Sequence, residues 1–311
     1  MTSTFQPGAL SDVTIVGSAN MDLVFTVDRR PEPGETLMAT STASFPGGKG
    51  LNQAVAAARA GARTVFIGAL GDDDSGRVLG AIMADAAIDS TLVREVKAPT
   101  GQALIVVDGG GENTIIVASG ANSTVTALTA ADRAAIAGTT VLLMQLELPI
   151  ETVIEAAAAA RAAGVMVMLN AAPARELPDE LIHLLDCLIV NEHEVCLIGG
   201  SAELAEASAV VAGRVARVIV TLGAAGSVIF DDGVEIARVP APKVTAVDTT
   251  GAGDTFCGAF AAALSQGHPV IAAATFATAA AALSVQVVGA VPSIPSRATI
   301  EGALVSNGAR L

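Results

Sequence analysis

The sequence predicts an α/β fold: a parallel-rich central sheet with helices on both faces, plus a small inserted β-sheet lid. Three observations carry this. Short apolar β-type runs alternate with Ala-rich helical stretches along most of the 311 residues. That rhythm belongs to a parallel sheet covered on both sides. Two stretches, 21–44 and 101–118, break the rhythm with β patterning punctuated by Pro31, Pro33, Gly34 and Gly109 to Gly111. Finally, Gly251-Ala252-Gly253-Asp254 opens an apolar helix, the kind of helix start that accepts anions.

The elements follow in order. Residues 13–17 read as a short buried strand. Residues 50–60 are Ala-rich and stop at Gly61, a helix with a glycine end signal. Residues 64–69 read as a strand, 75–86 as a helix and 141–144 as a strand. Residues 151–163 form a helix ended by Gly164, and 165–169, 187–190 and 218–222 are further strands separated by helices. An Ala-rich helix spans 256–265. The uncharged stretch 270–291 is long enough to cross a bilayer. It lacks an aromatic belt and flanking cations, so it reads as a buried helix followed by a short strand or turn before Pro292. Neither β stretch is large enough to hold a core, so the two pair as one lid. The expected division is a body of 1–19, 46–100 and 119–311, with a lid of 20–45 and 101–118.

Composition excludes several function classes. The net charge of −14 opposes nucleic-acid or anionic-membrane surfaces. Trp and Tyr are absent, which removes the usual stacking platforms for single strands. An anionic substrate must therefore be held by local backbone dipoles, a few cations and metal. Cys187, Cys196 and Cys257 are odd in number and lack CxxC spacing, which disfavours disulfides and a zinc site. Reduced cytosol fits. The first ten residues carry no basic leader pattern, so a cytoplasmic protein is expected.

Several motifs suggest chemistry. Asp254 places a carboxylate on the first turn of an anion-binding helix start. It suits a base that accepts a proton from a hydroxyl attacking phosphorus, and equally a plain helix cap. Pro46-Gly47-Gly48-Lys49-Gly50 is not a P-loop, since Gly follows Lys49 where Ser or Thr should hold magnesium. Lys49 and Asn52 nevertheless set a cation and an amide near a helix start, which suits a polyhydroxyl ligand. Asn20 and Asp22 are two apart on an extended segment and so point to one side, as a sugar clamp or as a solvated edge. Ser18-Ala19-Asn20 after the first strand is no dinucleotide fingerprint. Asn191 and Glu194 have the spacing of a capping box. Asp72, Asp73 and Asp74 read as a dipole-favoured, solvated helix start rather than a metal cluster.

Taken together and in order, 17–22 (GSANMD), 47–53 (GGKGLNQ), 144–147 (MQLE), 191–194 (NEHE), 221–226 (TLGAAG) and 248–254 resemble the ribokinase family of sugar kinases. The resemblance spans about residue 12 to about residue 305. It implies a ribokinase-like fold and ATP-dependent phosphorylation of D-ribose at O5. Asp254 would be the base, and Gly251, Ala252 and Gly253 the anion hole. Asn20, Asp22, Gly48, Lys49, Asn52 and Glu147 would hold ribose. Asn191, Thr221, Gly223, Gly226, Gly253 and Thr278 would hold the nucleotide. Asn191 and Glu194 would organise Mg2+ through water. Asp248, Thr250, Ser284, Val287, Gly289 and Ser293 would hold K+, mostly by backbone carbonyls. A homodimer through the lid is also implied. The alternatives are a kinase for a nucleoside, deoxyribose or another furanose, and a catalytically silent sugar- or nucleotide-binding regulator.

Overall fold

A computed structural model describes residues 11–110 and 112–306. The leader reading on residues 1–10, Gly111 in the lid and the expected body's end at 307–311 lie outside the described residues.

Thirteen strands form two sheets among the described residues. They are β1 Ser11–Val16, β2 Asn20–Thr26, β3 Ser41–Gly47, β4 Thr64–Gly71, β5 Val93–Val96, β6 Gly101–Val107, β7 Asn113–Ala118, β8 Thr139–Met144, β9 Met166–Asn170, β10 Cys187–Asn191, β11 Arg217–Thr221, β12 Ser227–Asp231 and β13 Val234–Val239. The large sheet runs β13-β12-β11-β10-β9-β8-β1-β4-β5. Its strands are parallel from β11 to β5, and β12 and β13 add an antiparallel hairpin at one edge. That hairpin is the antiparallel part of a sheet that is otherwise parallel, as the parallel-rich reading allows. Its cause is a tight turn at Asp232-Gly233, where both residues take positive φ (47° and 81°). The β5 strand also carries no apolar signal, since its four residues include Arg94 and Glu95.

Both faces of the large sheet are buried, and the side chains sort by the two-residue strand period. On β8, Val141 and Leu143 enter one core while Leu142 and Met144 enter the other. The Lys49–Arg59, Asp74–Asp85, Ala252–Ser265 and Val270–Ser284 helices cover the first face. The Ala130–Ala137, Ile150–Ala162, Glu192–Gly199 and Leu204–Ala212 helices cover the second. The uncharged stretch after residue 270 is thus a core helix, followed by turns and the short Ala290–Ser293 helix. Among the described residues no single helix is long and apolar enough to cross a membrane.

The small sheet runs β3-β2-β6-β7. Asn20 pairs with Gly47 on one side and Gly101 on the other, so three strands converge where this sheet meets the body. The β3 strand continues to Gly47, past the expected boundary at 45. The edge strand β7 is exposed along its whole length, including Ile115 and Ile116.

One helix contact decides the site. The Ala252–Ser265 helix starts at Ala252 rather than 256 and is buried from Asp254 onward. It packs against the Lys49–Arg59 helix. A Cβ on Gly258 would lie 2.6 Å from Ala56 Cβ and 2.8 Å from Ala57 N. Only glycine allows the backbones to approach so closely.

Candidate active site

The parallel strands end on one side, where the chain turns from strand to polar loop. Ser18 and Asn20 follow β1, Gln145 and Glu147 follow β8, and Asn170, Asn191 and Thr221 end β9, β10 and β11. Sequence order reverses between β1 and β8, the switch point at which open α/β sheets bind ligands. A cleft of about 140 Å³ opens over the ends of β9, β10 and β11, lined by Lys49, Asn170, Asn191, Glu194, Thr221, Gly251, Gly253, Asp254 and Cys257, among others.

Asp254 sits at the third position of its helix and is 8 % exposed. It caps nothing. Its Oδ2 accepts Nδ2 of Asn52 at 2.9 Å and its Oδ1 accepts Nε2 of Gln53 at 2.9 Å. Gly251, at φ 73°, turns the chain into the helix; a Cβ there would lie 2.8 Å from Ala290 Cβ. The backbone N–H of Ala252 goes to Thr249 O at 3.2 Å. Among the described residues the N–H groups of Gly251, Gly253 and Asp254 have no acceptor. Free amides at the positive end of a buried helix form an anion cradle.

The Lys49 ammonium makes no ion pair within 4.0 Å among the described residues. Burial works to lower its pKa, but the carboxylates of Asp254, Glu147 and Glu194 outweigh this and hold it above the usual value. It remains a cation facing three acids. Glu147 accepts the Ser18 hydroxyl and the Lys49 backbone N–H at 3.1 Å. Asp22 is pushed up from 3.8 to about 7 by burial and by the charges of Glu147 and Asp254, with Lys49 opposing. Asp22 lies against the Gly47 backbone, where a side chain would collide with its carboxylate. Asn20 is buried, and its Oδ1 accepts Nδ2 of Asn122 at 2.7 Å. Gly48 is the N-cap of the Lys49–Arg59 helix. Asn52 keeps a buried Oδ1 with no partner, an acceptor awaiting a donor.

On the nucleotide side, Asn191 and Glu194 form a reciprocal capping box at 2.8 Å in each direction. Burial pushes the Glu194 carboxyl up, against the Asn191 N–H and Lys49. Thr221 and Gly253 line the cleft, whereas Gly223, Gly226 and Thr278 do not. Thr278 is buried with an unpartnered hydroxyl. Gly223 and Gly226 bound the short helical turn between β11 and β12. Cys257 faces the cleft, but burial beside Asp254 and Glu194 pushes its thiol well up, which keeps it neutral.

The expected cation residues gather beside the anion cradle. Asp248 accepts Thr250 N at 2.9 Å and Gly289 N at 2.8 Å. Burial opposes its ionisation, but these N–H bonds prevail and hold its carboxyl below the usual value. Ser284 O accepts Val287 N at 3.1 Å, and the Ser293 hydroxyl donates to Ala290 O at 2.7 Å. Asp72 and Asp74 are exposed and pair with Arg77, while Asp73 caps its helix and accepts from Thr100. No cluster of acidic, His or Cys residues fit for a metal occurs among the described residues.

Four polar residues around this site were given no role from the sequence: Gln53 and Gln145, which lie inside the motifs 47–53 and 144–147, and Asn122 and Asn170. All four are buried. A polar side chain inside an Ala-rich helix, as at Gln53, was the available signal.

Comparison with known proteins agrees with this geometry. The model for "pfkB family carbohydrate kinase" matches residues 10–297. The chain is 42 % identical over 293 residues to a ribokinase of Haemophilus influenzae, covering 92 % of this chain and 95 % of that one. It is 39 % identical over 296 residues to a ribokinase of Bacillus subtilis, covering 94 % and 99 %. The solved structure of Arabidopsis thaliana ribokinase complexed with ribose and ATP superposes with a TM-score of 0.89 at 35 % identity, covering 94 % and 98 %.

Proposed function

The chain belongs to the pfkB family of carbohydrate kinases, and from that premise we propose that it phosphorylates D-ribose at O5 with ATP, giving ribose 5-phosphate. The observation that carries the reading is Asp254: a buried carboxylate, aimed by two amides, beside free N–H groups at a helix start. Relatives at 39 % and 42 % identity bear the name ribokinase, which supports the sugar.

Asn20, Asp22, Gly48, Lys49, Asn52 and Glu147 hold the sugar hydroxyls. The unpartnered Asn52 Oδ1 accepts one of them. Asp254 takes the proton of the 5-hydroxyl as it attacks the γ-phosphorus of ATP. The free N–H groups of Gly251 and Gly253, with that of Ala252 shared with Thr249 O, receive charge on the transferring group, and Lys49 adds a cation in the same cleft. ATP lies along Asn191, Thr221, Gly223, Gly226 and Thr278. The small sheet, residues 20–45 and 101–118, closes over the sugar and excludes water, which limits wasteful hydrolysis.

Two ions fit the residues present. Glu194 commits Oε2 to the capping box and leaves Oε1 without a hydrogen-bond partner among the described residues, which suits a Mg2+ held through water by Asn191 and Glu194. Asp248 is held anionic beside the loop of Gly289, a hard oxygen set for K+ together with Thr250, Ser284, Val287 and Ser293. When bound, such ions supply positive charge against the phosphates and the anion cradle. The protein acts in the cytoplasm, as a homodimer joined through the lid.

One observation favours a larger acceptor. A second cleft of about 390 Å³ opens beside Glu147, walled by Val117, Leu146, Leu148, Pro149 and Pro173. An apolar wall there would suit the base of a nucleoside. The test is kcat/KM for ribose, 2-deoxyribose, fructose, adenosine and uridine under one set of conditions. Ribose should lead, because a site built to bond hydroxyls is left with unpaired polar groups by an analogue lacking one. A nucleoside that beats ribose overturns the substrate and leaves the phosphoryl transfer standing.

A further inference from the structure

Gln53 is fully buried, immediately after Asn52, and every polar atom of its side chain is used inside the protein. Its Nε2 donates to Asn170 Oδ1 at 3.1 Å and to Asp254 Oδ1 at 2.9 Å. Its Oε1 accepts Nε2 of Gln145 at 2.6 Å. Asn170 Nδ2 in turn donates to Ile189 O at 3.3 Å. The polarity of this chain is forced at both ends. A backbone carbonyl only accepts, so Asn170 must turn its nitrogen to Ile189 and its oxygen to Gln53. An ionised carboxylate also only accepts, so Gln53 must face both Asn170 and Asp254 with its nitrogen. Its oxygen is left for Gln145.

Asn52 and Gln53 therefore divide the work. Asn52 touches the same carboxylate but keeps an unpartnered Oδ1 for a ligand. Gln53 has nothing left to offer a ligand. We propose that Gln53, locked by Asn170 and Gln145, is the positioning residue of the base: it fixes the rotation of the Asp254 carboxylate. This rests on Asp254 acting as the base. Pinning one oxygen from the helix side leaves the remaining lone pairs for the hydroxyl proton.

The test uses Gln53→Met, which keeps the length of the side chain and removes both donors. Turnover should fall about tenfold to a hundredfold, the worth of one hydrogen bond to a charged group. Ribose affinity by calorimetry should stay within about twofold, as for an interaction used in the transition state. That split, turnover lost with affinity kept, is one a packing role would not give. Gln145→Met leaves every atom that touches Asp254 in place and should give the same signature at smaller amplitude. It decides the matter if Gln53→Met does not fold. Wild-type kcat, or a loss of ribose affinity that matches the loss of turnover, overturns the proposal. Asp254→Asn is measured alongside: if that variant keeps its turnover, the base assignment itself is wrong, a failure distinct from that of Gln53.

Discussion

The Asn52 amide donates to the Asp254 carboxylate across 2.9 Å, joining two helix starts that stand 202 residues apart in the chain. The bond exists because Gly258 lets the two helices touch backbone to backbone. The carboxylate proposed as the base is thereby set between an amide and an anion cradle. Asp254→Asn should cut kcat on the order of a hundredfold or more, the loss typical of a removed general base. Ribose affinity should hardly change, since Asn still bonds the hydroxyl in the ground state. Single-turnover kinetics and ribose calorimetry on the same preparation check both halves.

Asp22 carries a pH prediction with a definite sign. Its folded carboxyl is raised to about 7 from the ordinary 3.8, by burial first and then by Glu147 and Asp254, while Lys49 opposes. Between those values the folded state holds the proton that the unfolded chain gives up. The Asp22 contribution to stability is thus favourable at low pH and is lost as pH rises from 3.8 to about 7. Asp22→Asn cannot ionise, so its melting temperature should gain on wild type over that window, by several degrees at the upper end. The measurement is thermal unfolding of both ligand-free proteins from pH 5 to pH 8. Parallel curves would remove Asp22 from the charge cluster.

Much of the fold was legible because its signals are local. Apolar runs and glycine stops at Gly61 and Gly164 mark strands and helix ends within a few residues. The β12–β13 hairpin was harder. Ser227–Asp231 looks like any buried run, Val234–Val239 is interrupted by Glu235 and Arg238, and only Asp232-Gly233 betrays the turn. In the site, Asp254 and the glycines before it share one short stretch. Gln53, Gln145 and Asn170 do not. Their meaning is a relay between a helix and two strands, with separations of 92 and 117 residues. Asn122 orients Asn20 from 102 residues away. Composition and spacing carry no trace of such pairings.

Potassium should activate. Asp248 bonds Gly289 N and Thr250 N, so an ion at this carboxylate would stiffen the loop that presents Gly251. Turnover in a buffer whose only monovalent cation is a bulky organic one should be several-fold lower and should recover with added potassium. Asp248→Ala should abolish the response. Equal rates with and without potassium would contradict the assignment of Asp248 and Ser293.

The lid should pair with a second lid. The β7 strand is an exposed edge carrying Ile115 at 53 % and Ile116 at 61 % exposure. Such an edge invites a partner strand or sheet. Sedimentation should give a dimer at micromolar concentration, and Ile116→Asp should shift it toward monomer. A wild-type monomer under those conditions would refute the interface.

The central claim is phosphoryl transfer from ATP to the 5-hydroxyl of ribose, with Asp254 as base. The most direct measurement follows ADP release with and without ribose, and identifies the sugar product by phosphorus NMR. The account predicts ribose-dependent ADP release matched one for one by ribose 5-phosphate, and neither from Asp254→Asn beyond a trace. ADP release indifferent to ribose, or phosphate on a different hydroxyl, would contradict it.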